Sequence, residues 1–231
     1  MISSPIIPAI IPKSVADIEA FLLRLPKVPE LHVDVVDGIF VSAVSWPYVP
    51  KGVPTEVANI LAAVTLEVDL MVANPLRAAY EWIEAGADML VFHSESAPIE
   101  IVREIGTTTG VTIGIASNND TPFSVLAEYF PYVDYVQVMG IGAIGAQGCP
   151  FDDRALTRIR DIRTLQPGMH ISLDGSVNAT TLPNLLTEML DRYIVGSAVY
   201  AADDPLQVYR DFSELASAQV ERSRGASVGI L

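Results

Sequence analysis

Cysteine is nearly absent: the 231-residue chain carries one, Cys149. A lone thiol has no intramolecular partner, which excludes a disulfide framework and any multi-cysteine zinc or iron–sulfur site. A bound metal would have to use His, Asp and Glu. Basic residues are also scarce, with 14 Lys and Arg against 28 Asp and Glu and a formal net charge of -14. A field of that sign repels nucleic acid and anionic lipid, yet a small phosphate can still be gripped by local backbone N–H groups. Long apolar runs are missing too. Half of the residues are apolar (50%) and the mean hydropathy is +0.37, but no run approaches the roughly 18 to 20 residues that span a bilayer. The hydrophobicity therefore belongs to an interior, and no membrane insertion is expected. Residues 1–12 lack a basic leader and are interrupted by Pro5, Pro8 and Pro12, which argues against a secretory signal and for a cytoplasmic location.

What is present is a regular alternation. Short β-rich runs at 6–11, 32–36, 65–71, 89–93, 112–116, 135–139, 170–173 and 193–195 are each followed by a helical pattern. The helices are predicted at 15–25, 54–63, 75–85, 98–108, 123–130, 152–165, 181–190 and 205–218. Ser14 is an N-cap candidate, and Pro75, Pro98 and Pro205 stand at or near first helical positions. Eight β–α units in one linker-free stretch fit a closed α/β barrel, the (β/α)8 TIM barrel, better than an open doubly wound sheet. The expected organisation is a single domain over 1–220 and a C-terminal tail, 221–231, without periodicity.

Strands buried on both faces should be continuously apolar, so their polar exceptions carry information. In the second run His32 and Asp34 share one face while Val33 and Val35 share the other. The pair points into the barrel, satisfied either by a metal ion or by a mutual hydrogen bond. Asp37-Gly38 reads as a turn marker. In the third run Glu67, Asp69 and Met71 share a face; Glu67 is expected to be the buried partner of a Lys or Arg. Asp174 closes the seventh run, where active sites of this architecture are assembled. Glycines follow the late strands: Gly140, Gly142, Gly145 and Gly148, then Gly175, then Gly196-Ser197. Such loops commonly cradle a phosphate, and flexible turns are the alternative. His93 reads as a satisfied barrel histidine, His170 as a residue of the barrel's quiet end, Trp46 and Trp82 as packing residues. Met71 and Met139 are core residues, placed where a planar intermediate would need an apolar wall.

Taken in order, these segments resemble the ribulose-phosphate 3-epimerase family. The matching stretches are His32-Val33-Asp34-Val35-Val36-Asp37-Gly38, Asp69-Leu70-Met71-Val72 with Asn74-Pro75, Ala85-Gly86-Ala87-Asp88 leading to Phe92-His93, Val138-Met139, Asp174-Gly175 with Val177-Asn178, and Gly196-Ser197-Ala198. The resemblance implies a ribulose-phosphate-binding barrel and a divalent metal ion (Mn, Mg, Fe or Zn) held by His32, Asp34, position 69 and Asp174. It implies Asp34 and Asp174 as an acid–base pair, with the metal stabilising an enediolate as a Lewis acid. It further implies a small phosphorylated sugar of the ribulose 5-phosphate/xylulose 5-phosphate type, bound by Met71, Met139, Gly142, Gly145, Gly175, Ser176, Gly196 and Ser197, and a homo-oligomer. The chain departs from the family in several places. Pro8-Ala9 replaces a Pro-Ser pair, Val36 a methionine, and Asp69 the strand-three histidine. The glycine-rich loop is shortened to 142–147, and Ser176 replaces a glycine. Three carboxylates with one imidazole make a hard donor set that favours Mn or Mg over Zn. Alternatives are a sugar-phosphate aldolase or decarboxylase on the same barrel, or a non-catalytic sugar-phosphate-binding homologue.

Overall fold

A computed structural model describes residues 5–146 and 148–228. Eight parallel strands close a barrel in chain order: β1 (Ile6–Ile10), β2 (Glu30–Val36), β3 (Thr65–Met71), β4 (Met89–His93), β5 (Thr112–Ser117), β6 (Tyr135–Met139), β7 (His170–Asp174) and β8 (Arg192–Val195). Closure comes from β1 pairing with β8 as well as β2. Long helices follow five of the strands around the outside of the barrel: α1 (Val15–Arg24), α3 (Pro75–Glu84), α4 (Ile99–Thr108), α6 (Arg154–Leu165) and α9 (Pro205–Val228). Between them lie the short helices α2 (Ala58–Leu61), α5 (Phe123–Ala127), α7 (Leu182–Leu185) and α8 (Ser197–Tyr200). Ser14 caps α1, accepting from the Asp17 N–H at 3.2 Å, and Asn74 caps α3 with Pro75 at its first position.

The main core lies between barrel and helices, where outward residues such as Val33, Val35, Val68 and Leu173 are fully buried against Ile18, Phe21, Trp82 and Ile159. Three of the predicted helices are shorter. The 54–63 stretch splits into a 3-10 turn at Pro54–Val57 and one turn of α2, and 123–130 ends at Ala127. The 181–190 stretch is one turn, α7, plus a 3-10 turn closed by Met189 at φ 52. Pro131 and Pro183 each stand in the first turn of a short helix, the 3-10 turn Phe130–Tyr132 and α7, where the missing N–H would have had no partner. The extra helix α8 follows β8 directly, and α9 continues from 218 through Val228 into the segment read as a tail. Residues 229–231 of that tail, and Gln147 of the glycine-rich loop, lie outside the described residues. Among the described residues no helix is long and apolar enough to cross a membrane.

Candidate active site

Register across β2 and β3 builds the site in two rungs, with His32 beside Glu67 and, two residues further along, Asp34 beside Asp69. Strand β7 brings in Asp174 at its C-terminal end. Ligand-capable atoms of His32, Asp34, Asp69 and Asp174 lie within 4.8 Å of one another. Alternation places them there, because the even positions of β2 and the odd positions of β3 face inward. The expected partner of Glu67 is Arg192 from β8, whose Nη1 and Nη2 reach the two carboxylate oxygens at 2.6 and 2.9 Å. Glu67 also accepts from the Tyr135 hydroxyl. His93 is satisfied on one side only: its Nε2 meets Asp69 Oδ1 at 2.8 Å while its buried Nδ1 has no partner among the described residues, and Gln137 Nε2 donates to Asp69 Oδ2 at 2.8 Å. The second lone pair on each Asp69 oxygen is left for another partner.

The electrostatics of this cluster ask for a cation. Burial opposes a charge on Glu67, but His32 and Arg192 hold it well below the usual carboxylate range. Ionised and fully committed as an acceptor, Glu67 requires the His32 Nδ1, 2.5 Å from its Oε2, to carry the hydrogen. The His32 Nε2 then faces Asp34 Oδ1 at 3.3 Å. A lone pair on that nitrogen opposite a carboxylate oxygen repels it unless a proton or a metal ion lies between them. Burial alone would lower the His32 pKa, but Glu67 and Asp34 hold it well above the ordinary imidazole value, which is the protonated solution. Burial pushes Asp174 up to about 8, and the neighbouring Asp34 adds to the rise. Asp34 itself is raised, again by burial first, against the pull of His32. Three carboxylates and one imidazole pressed together in this way fit a divalent ion, which would relieve the repulsion among them.

A cavity of about 150 Å³ opens above these acids. Its polar edge is Asp34, Asp174 and the loops after β6, β7 and β8, including Gly145, Gly175, Ser176, Gly196 and Ser197; Met71, Ala9, Ile11 and Ile194 form the apolar wall. Two expected substrate contacts lie elsewhere. Gly142 sits beside Asp152 and Arg154, and Met139 is buried beside Val91, Ala116 and Tyr135. In the loop after β6, Asp152 N–H bonds back to Gly140 O at 2.9 Å, and Gly145, Ala146 and Gly148 line the cavity. Asp37 forms the expected turn, accepting from the N–H groups of Ile39 and Phe40. His170 is exposed at the opposite end, 2.9 Å from Asp191. Sequence reading overlooked Tyr135, Gln137 and Arg192. Gln137 was open to the same polar-exception argument that found Glu67, since it interrupts an apolar strand on its inward side.

The family model described as the Ribulose-phosphate 3 epimerase family matches residues 5–200. A ribulose-phosphate 3-epimerase from Mycobacterium leprae is 33% identical over 183 residues, covering 76% of this chain and 78% of the relative. One from Treponema pallidum is 35% identical over 181 residues, covering 74% and 78%. Among solved structures, 3-hexulose-6-phosphate synthase from Salmonella typhimurium superposes with a TM-score of 0.71 at 12% identity, over 93% of this chain and 99% of that one. KGPDC from Streptococcus mutans in complex with D-R5P superposes with a TM-score of 0.70 at 12% identity, over 92% and 97%. At such identity these two likenesses show the barrel fold alone.

Proposed function

Because the chain belongs to the ribulose-phosphate 3-epimerase family, we propose that it epimerises a ketose phosphate of the ribulose 5-phosphate/xylulose 5-phosphate type, exchanging the proton on the carbon next to the ketone. The observation that carries this reading is the meeting of Asp34 and Asp174, from strands separated around the barrel by β8 and β1, at the floor of one cavity. Two carboxylates so close cannot both ionise easily, so one holds a proton while the other is free to take one. The free carboxylate removes the C3 proton from one face of the substrate, giving an enediolate. The protonated partner returns a proton to the opposite face, and the configuration inverts. His32, Asp34, Asp69 and Asp174 would hold a divalent ion, which when bound acts as a Lewis acid toward the developing oxyanion. Met71 offers the planar carbon skeleton an apolar contact. Backbone N–H groups of 175–176 and 196–197 supply donors for the phosphate in a chain whose net charge would otherwise repel it.

Asp174→Asn keeps the shape of the side chain and removes its capacity to shuttle a proton. Exchange of the C3 hydrogen with solvent deuterium, followed by NMR of the sugar phosphate, is expected to fall by at least about 1000-fold, within the range that general acid–base groups contribute. Undiminished exchange would overturn the assignment. Product analysis in the same tube separates epimerisation from aldol cleavage or decarboxylation, which would release a smaller fragment or carbon dioxide.

A further inference from the structure

Below the acid cluster lies a second set of buried polar groups that the proton transfer does not use. Glu67 is fully buried on β3. Its Oε1 accepts from Arg192 Nη1 and from the Tyr135 hydroxyl, and its Oε2 from Arg192 Nη2. Arg192 lies over the Tyr135 ring at 5.5 Å and also bonds Glu30, at the start of β2 and the opposite mouth of the barrel. A buried Arg–Glu pair is by itself weak evidence of anything beyond packing. What sets this one apart is its remaining contact, His32 Nδ1 at 2.5 Å from Oε2, between residues that are direct register partners.

We propose that Glu67 is a positioning residue for His32: it accepts a hydrogen bond from the Nδ1–H, fixes the ring plane, and presents Nε2 to the acid cluster. Arg192 and Tyr135 hold Glu67 in turn, so the orientation of a ring at the catalytic mouth is set by groups anchored at the far mouth. The geometry requires the carboxylate to be an acceptor only, since three donors from Arg192 and Tyr135 already converge on it. An imidazole fixed in this manner turns a lone pair toward a cation with little rotational freedom left to lose, and such partners typically govern metal affinity. The purpose of the device rests on the divalent-ion reading above; its geometry does not.

The test is Glu67→Gln, whose amide can donate to Nδ1 and so no longer requires a hydrogen on that nitrogen. In ¹⁵N-histidine NMR of the metal-free wild-type chain, His32 should show a slowly exchanging, strongly deshielded hydrogen on Nδ1, and the variant should lose it. Mn²⁺ binding followed by electron paramagnetic resonance should weaken by about 10- to 100-fold in the variant. Retained Mn²⁺ affinity in the variant, within about twofold of wild type, overturns the proposal. So does a wild-type His32 with no hydrogen on Nδ1, a result obtainable even if the variant does not fold. A wild-type chain that takes up no Mn²⁺ but shows the Nδ1 hydrogen removes the metal reading and leaves the positioning role standing.

Discussion

Ser176 is the residue at which local strain and site chemistry meet. It has φ 57, directly after Gly175 at φ 106, so two successive residues at the end of β7 are left-handed. A non-glycine residue there costs of order 1–3 kcal/mol and persists where surrounding bonds determine it. Those bonds are present: the Ser176 carbonyl accepts from Thr181 Oγ1 at 2.5 Å and from Asn178 Nδ2 at 3.0 Å. The turn lines the cavity with Gly175 and Ser176. Replacing Ser176 by Gly is expected to keep stability within about 1 kcal/mol, since the strain it relieves is offset by chain entropy. Replacing it by Val, which resists positive φ, should cost about 1–3 kcal/mol in urea unfolding and weaken inorganic phosphate binding by calorimetry. Equal behaviour of the two variants would separate this turn from phosphate recognition.

At the scale of elements, the site depends on how closely the ends of β6 and β7 approach. Gly140 N–H bonds Asp174 O at 2.6 Å, and a Cβ on Gly140 would lie 2.1 Å from the backbone oxygen of Gly175. Gly140→Ala must push the two strand ends apart and carry Asp174 and the β7 loop with them. A shift of this kind, about 1 Å, is enough to cost about 100-fold in turnover. Steady-state kinetics are therefore expected to show at least a tenfold loss in kcat/KM, whereas activity equal to wild type would mean that the β7 end is not position-critical. Much at this scale was legible in the sequence. The strands declared themselves as apolar runs, and the inward acids stood out against them because strand alternation alone assigns their face. The short helices over the barrel were not legible, since α2, α5 and α7 have helical patterning but give way in part to 3-10 turns whose placement depends on what they pack against. Nor was Arg192, whose pairing with Glu67 joins positions 125 residues apart, a contact that no local pattern encodes.

For the whole molecule, closure of the barrel presses buried acids together at one mouth of a chain that already carries a net charge of -14. That crowding has a pH signature. An acid whose pKa is raised in the folded state keeps a proton the unfolded chain has given up. Its contribution is complete below the unfolded value and is lost as pH rises through the folded one. For Asp174 the window runs from 3.8 to about 8, and the raised Asp34 acts in the same direction. The raised His32 and His93 add stability below 6.5 that fades above it. Glu67, held low, works with the opposite sign, but its contribution is complete once pH exceeds 4.5. The metal-free chain should therefore become less stable between about pH 5 and pH 8. A divalent ion that replaces the protons should restore stability by about 2.7 kcal/mol at one hundred times its dissociation constant, about 5–10 °C in melting temperature for a chain of this size. Thermal unfolding across that pH range, with and without Mn²⁺, reads the claim directly. The expected result is a melting temperature that falls with pH in chelator and is raised by Mn²⁺, most strongly at pH 8. A profile that is flat in chelator and unmoved by Mn²⁺ would contradict a shared cation among His32, Asp34, Asp69 and Asp174.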